Sequence, residues 1–262
     1  MNKKIKKSIL PVLAAVGVML AAAGVSQANE VDFSYRYWLP HVSGTVGPAT
    51  VSGVLVDSVD IKHSLGIENR NVGDFRLSLA INKTNKLNLD YLDTSFSGTG
   101  QPGGQIAGVP FLAGIDYHTD VKTKNAQLSW TRYLNKDMED DTVMGVVAGL
   151  RNVKIDATSV PVGGGNTLTK NFDVIFPSIG FTVETGRTGP VKSFMELSGA
   201  YAGSRGYFYD GSAGIKTSLG EDNSDISFTA GYRVLEVKAK NSGGDNVKSR
   251  LSGPFFNVTF KF

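Results

Sequence analysis

The final ten residues, Gly253 to Phe262, alternate apolar and polar side chains up to a terminal phenylalanine, so the chain ends inside a β-strand. Chain ends are ordinarily frayed and polar. Counting back in twos puts Phe262, Phe260, Val258 and Phe256 on one face and Lys261, Thr259 and Asn257 on the other. Such a strand lies between an apolar and a polar surrounding, and a fold that ends this way must be built from strands.

The other end of the chain carries an address. Lys3, Lys4, Lys6 and Lys7 precede an apolar run from Ile9 to Val25, and Ser26-Gln27-Ala28 supplies small residues. This is the layout of a secretory signal peptide, residues 1–28, with cleavage expected between Ala28 and Asn29. Loss of the leader lowers the 27 basic residues of the chain to 23 against 24 acidic ones, a net charge of about −1. The basicity is therefore a targeting feature and gives no reason to expect a nucleic-acid partner. There is no cysteine, which excludes a lipoprotein anchor, disulfides and thiolate metal sites. No metal or cofactor site is expected.

Beyond the leader no run approaches the roughly 20 apolar residues of a membrane helix. Instead, segments of about ten alternating residues recur between turns. Expected strands are Phe33–Leu39, Val72–Asn82, a third after the Lys83-Thr84-Asn85 turn, Ile115–Leu134, Val143–Ala157, Phe172–Thr185, Val191–Ala202, Tyr207–Leu219, Asp225–Lys240 and the terminal strand. The fourth needs a β-bulge near Lys124-Asn125 to keep Val121, Leu128 and Trp130 on one face. Pro177 predicts irregular pairing in the sixth. Short connections alternate with long ones, the latter at 41–71, 101–114, 158–170 and 241–247, as in an up-and-down barrel with both termini on one side. The expected fold of residues 29–262 is all-β, a closed antiparallel transmembrane barrel of about ten strands. Eight or twelve stay open, chiefly because Val51–Ile61 can form an extra hairpin.

The terminal strand resembles the C-terminal signature of Gram-negative outer-membrane β-barrel proteins, with Phe256, Val258, Phe260 and Phe262 as its apolar face. The Gly-Pro-Phe start at Gly253 and the Val59-Asp60-Ile61-Lys62-His63-Ser64-Leu65-Gly66-Ile67 segment resemble motifs of an uncharacterised set of small barrels in that group. The resemblance implies an outer-membrane location, a lipid and lipopolysaccharide surrounding, and dealings with periplasmic chaperones and the barrel-assembly machinery, which reads the terminal strand. It brings no activity with it.

A barrel of this size holds side chains or one small ligand. The inward face is expected to carry Asp74, Arg76, Asp90, Arg151, Glu184, Glu196, Asp210, Lys216 and Arg233, either as a paired polar core or as the lining of a narrow, porin-like passage for a small solute. Asp116, His118 and Asp120 share one strand face, where a histidine between carboxylates can serve a general base. Outer-membrane proteases of the omptin family are similar in architecture only, since no second Asp-x-His pair occurs here. His41, His63 and His118 make no recognisable lipid-modifying set. The Gly98–Gly104 and Gly163–Asn166 stretches lack the helix and lysine of a phosphate cradle and are expected to be surface loops, the first continuing into apolar Ile106–Leu112, which can fold over the barrel mouth. The chain is thus expected to be a non-enzymatic barrel, structural or a narrow channel. A surface hydrolase, and a receptor or adhesin working through 41–71 and 101–114, are the alternatives.

Overall fold

The computed structural model describes residues 30–51, 54–56, 58–102, 104–106, 109–112, 114–135, 141–186, 189–219, 226–240 and 245–262. The expected leader and its cleavage point lie outside these, as do the 220–224 turn and the 241–244 loop tip. Ten antiparallel strands form the wall: β1 (Glu30–Trp38), β6 (Val72–Asn82), β7 (Asn85–Gly100), β10 (Tyr117–Tyr133), β11 (Thr142–Pro161), β12 (Leu168–Thr185), β13 (Val191–Tyr201), β14 (Gly206–Ser218), β15 (Ile226–Lys240) and β16 (Asn246–Lys261). Neighbours in sequence are neighbours in the wall, and β1 pairs with β16 to close it. Closure leaves no sheet edge around the apolar belt, which a bilayer requires because lipid offers no hydrogen bonds. Phe262 completes the seam: its N–H donates to the Val31 carbonyl at 2.8 Å and its carbonyl accepts from the Val31 N–H at 3.0 Å.

Outside the ten-strand wall, β2 (His41–Gly47) pairs with the upper part of β16, and β5 (Val59–Asp60) pairs with β2. The expectation of a loop beginning at His41 is therefore corrected. Beyond the Leu39-Pro40 step the first strand resumes as β2, above the lipid. Gly253 allows that step, since a Cβ there would stand 2.2 Å from the Leu39 carbonyl oxygen. The Val51–Ile61 segment does contain strands, β3 (Ala49–Val51) and β4 (Val54–Val56), but they join β8 (Gly104–Ile106) and β9 (Val109–Phe111) in a separate four-stranded loop sheet. The wall count stays at ten.

Outward residues form an apolar belt. On β12 it runs from Val183 through Phe181, Ile179 and Pro177 to Ile175. Nine residues at about 3.4 Å each, tilted by about 40°, give roughly 23 Å of height. Phe33, Phe75, Tyr35 and Tyr91 add aromatic rings to this outer face. Above the belt the outside turns polar, with Asn152, Lys154 and Asp156 on β11 and His118, Asp120, Lys122 and Lys124 on β10. The inside turns apolar at the same height: Val153, Ile155, Phe172 and Val174 are buried.

This inversion corrects the expected bulge. β10 pairs residue for residue with both β7 and β11 from end to end, so its parity never changes. Val121 points inward while Leu128 and Trp130 point outward, because the solvent outside changes from water to lipid along one regular strand. Pro177 disturbs nothing in the ladder to β11, where it stands opposite Leu150. The ladder to β13 stops at Ile179, before the proline is reached.

Candidate functional site

All nine sequence-predicted lumen residues point into the barrel, and the structure sorts them into two levels. The deeper level is a compact charged layer. Arg233 donates to Asp210 through Nε and Nη2, both at 2.8 Å, and through Nη1 to Asp74. Arg151 donates to the same Asp210 carboxylate at 2.7 Å and to Gln127 Oε1. Arg76 donates to Asp90 at 2.6 Å and to both oxygens of Glu196 at 3.0 Å. Arg36, absent from the predicted set, lies 3.6 Å from Asp74. Four guanidiniums thus face four carboxylates. Forked Arg–carboxylate geometry of this kind makes charge burial tolerable, and at Asp210 and Glu196 both carboxylate oxygens keep a donor.

Nearer the periplasmic rim Lys86 pairs with Asp32, Lys216 lies 3.9 Å from Glu184, and Lys261 lies 3.2 Å from Glu30. Together with the charged layer these residues line a polar cavity of ≈ 390 Å³. The short connections, the start of β1 and the end of β16 lie at this end, the periplasmic one in such a barrel.

On its other side the charged layer is covered by aromatic rings. Trp38, Phe176, Phe208 and Phe255 are 0–3 % exposed. Each of three arginines lies under one ring: Arg151 is 4.4 Å from the Phe208 centroid, Arg36 is 4.9 Å from Phe255 and Arg233 is 4.9 Å from Trp38. Cations held over ring faces in a desolvated site gain on the order of 2 kcal/mol each. Phe176 and Phe208 meet edge to face at 5.5 Å, and the Trp38 indole N–H donates to the Gly253 carbonyl. Val72, Leu92, Val153, Leu235 and Leu251 fill the same level and are buried. Among the described residues, the polar lumen ends at this layer.

The extracellular end is roofed by loop elements. Asp60 caps a short helix, α1 (Ile61–Leu65), by accepting from the Lys62 and His63 amides at 2.8 and 2.9 Å. Burial opposes ionisation of Asp60, but these amides and His63 hold its carboxyl below the ordinary value. The helix ends at Gly66, whose φ is 67°, and Ile67 then bridges to Gly98 on β7. The expectation of a surface loop at Gly98 is corrected here. Gly98 and Gly100 belong to β7, and a Cβ on Gly98 would stand 1.9 Å from the Gly66 carbonyl oxygen. From the apolar 106–112 stretch, Ile106 and Phe111 do return to the barrel mouth, where both are buried.

His118 and Asp120 stand on the outward face of β10, exposed, with 3.9 Å between Nε2 and the carboxylate; His118 Nδ1 is 3.2 Å from Thr99 Oγ1. Asp116 is exposed just before the strand. His41 contacts Asn69, and His63 contacts Asp60. No group of three or more metal-ligating side chains occurs among the described residues.

No protein-family model and no curated protein matches this chain. Among solved structures, the outer membrane protease OmpT from Escherichia coli superposes with a TM-score of 0.62 at 9 % identity, over 90 % of this chain and 97 % of that one. The translocator domain of the autotransporter NalP from Neisseria meningitidis aligns over 98 % of both chains at 11 % identity, with a TM-score of 0.42. The first likeness establishes the barrel fold. That fold, with its closed seam and apolar belt, makes the chain a transmembrane barrel of the Gram-negative outer membrane.

Proposed function

We infer that this barrel neither conducts solutes nor catalyses a reaction, and that it acts at the cell surface as a receptor through its extracellular half. The observation that carries this is the aromatic layer of Trp38, Phe176, Phe208 and Phe255, whose near-complete burial leaves the lumen without a continuation toward the exterior. An ion crossing it would have to shed its water among apolar side chains, a cost of several kcal/mol at least. The charged layer beneath is then an internal scaffold, its cations consumed by its anions. The exposed, outward placement of His118 and Asp120 supports the non-catalytic part.

Planar-bilayer recording of the refolded protein tests this reading. The expected trace shows no resolved conductance steps above leak. Steady unitary currents would overturn the sealed barrel and restore the narrow channel.

A further inference from the structure

Above the aromatic layer the barrel holds a second, partly open cavity of ≈ 90 Å³, with a chemistry opposite to that of the lumen. Its wall includes Val121, Ile155 and Phe172, and its roof includes Leu65 of α1 with Ile106 and Phe111 of the β8–β9 hairpin. Of the polar groups at its edge, three already have protein partners. Thr119 and Ser159 hydroxyls bond each other at 2.9 Å, and the Lys170 ammonium is paired with Asp245.

We propose that this cavity is a binding site for an uncharged hydrocarbon group, either a small free molecule or the end of a single alkyl chain. Protein interiors seldom leave spaces larger than a water molecule, so a recess of this size lined by an apolar cluster is a departure from ordinary packing. Apolar cavities stay dry, and one of about 150 Å³ takes up benzene or xenon. A charged solute would lose its hydration here and meet mostly apolar side chains. The roof comes from two surface loops and not from the wall. Entry is therefore from the exterior, by displacement of α1 or the hairpin, and never through the seal. The site supplies the ligand class for the surface-receptor function proposed above, and it rests on that reading only for its direction of entry.

The test uses the mature chain refolded in lipid nanodiscs, with benzene and xenon as probes and the methyl resonances of Leu65, Val121 and Ile155 as reporters. Saturable shifts of these methyls are expected, with none at Val147 in the polar lumen. Ala157→Phe, which fills the cavity from its wall, should weaken binding by about tenfold or more. Should that variant fail to show a heat-modifiable folded band, Phe111→Ala serves instead: it enlarges the cavity and should tighten xenon binding. Mass spectrometry of protein purified from membranes identifies the source, since a retained alkyl chain points to lipid and a vacant site that takes benzene points to a free molecule. Absence of saturable methyl shifts in a wild-type chain that carries no alkyl chain, or shifts that persist in Ala157→Phe, would overturn the site. The bilayer recording is independent. Conduction with methyl shifts removes the sealed barrel and leaves the site, and silence without shifts does the reverse.

Discussion

Arg233 is the hub of the charged layer, and replacing it by methionine is the sharpest perturbation of the interior. The substitution keeps an unbranched chain under Trp38 and removes only the fork that binds Asp210 and Asp74. At an effective dielectric of about 20, a close ion pair gains about 4 kcal/mol before desolvation is counted. Desolvation consumes several kcal/mol per ion, so the intact layer contributes little net stability. Breaking it is another matter. Asp210 would keep Arg151 at 2.7 Å, but Asp74 would keep only Arg36 at 3.6 Å, and the layer would hold one carboxylate in excess. Arg233→Met should therefore cost about 3–5 kcal/mol. Adding Asp74→Asn restores the balance and should recover about 2 kcal/mol, a coupling within the range for groups in one network. The chain has two tryptophans. In a Trp130→Phe background, Trp38 emission during urea unfolding in lipid vesicles reports the layer directly. Losses for Arg233→Met and Asp74→Asn that add to within about 0.5 kcal/mol would refute the idea that these charges act as one unit.

Two other substitutions probe the seam and the roof. Deleting Phe262 removes both backbone bonds to Val31, so the heat-modifiable fraction in outer membranes should fall while export across the inner membrane is unchanged; undiminished outer-membrane levels would count against a role for the residue. Gly98→Ala drives a methyl group into the Gly66 carbonyl and should unseat α1, at about 1 kcal/mol for the Glu68 N–H bond to the Ser97 carbonyl of β7. Trypsin should then cut at Lys62 in a barrel that still shows its folded gel mobility, and unaltered protease resistance would contradict the docking geometry.

Most of the wall was legible because period-2 alternation needs only a difference between two faces. The Arg76–Asp90 pair was legible for a related reason: a tight hairpin fixes its register within 14 residues. The remaining partners were not. Arg233 finds Asp74 across 159 residues and Arg76 finds Glu196 across 120, and no local pattern encodes which inward charges meet across a closed barrel. The cavity escaped notice for a different reason. An alternation rule that assumes lipid outside assigns apolar residues outward, which puts Val121 on the wrong face and gives no reason to look inward at Ile155 and Phe172. β2 was hidden by Pro40, Gly44 and Gly47, which read as turn residues, although here they serve a bend and a close strand contact.

The reversal of polarity along β10, β11 and β12 gives the molecule a waterline. Sinking by one inward–outward step would carry Asn152 and Asp173 into hydrocarbon, and rising by one would lift Leu128, Leu150 and Ile175 into water. Either displacement is resisted by side chains already in place, without any anchor beyond the barrel itself. The half above the line has the oily inside and wet outside of a protein dissolved in water, whereas the half below has the reverse. The chain therefore carries two solvation programmes on one continuous set of strands, and its depth in the membrane is written at the height where one gives way to the other.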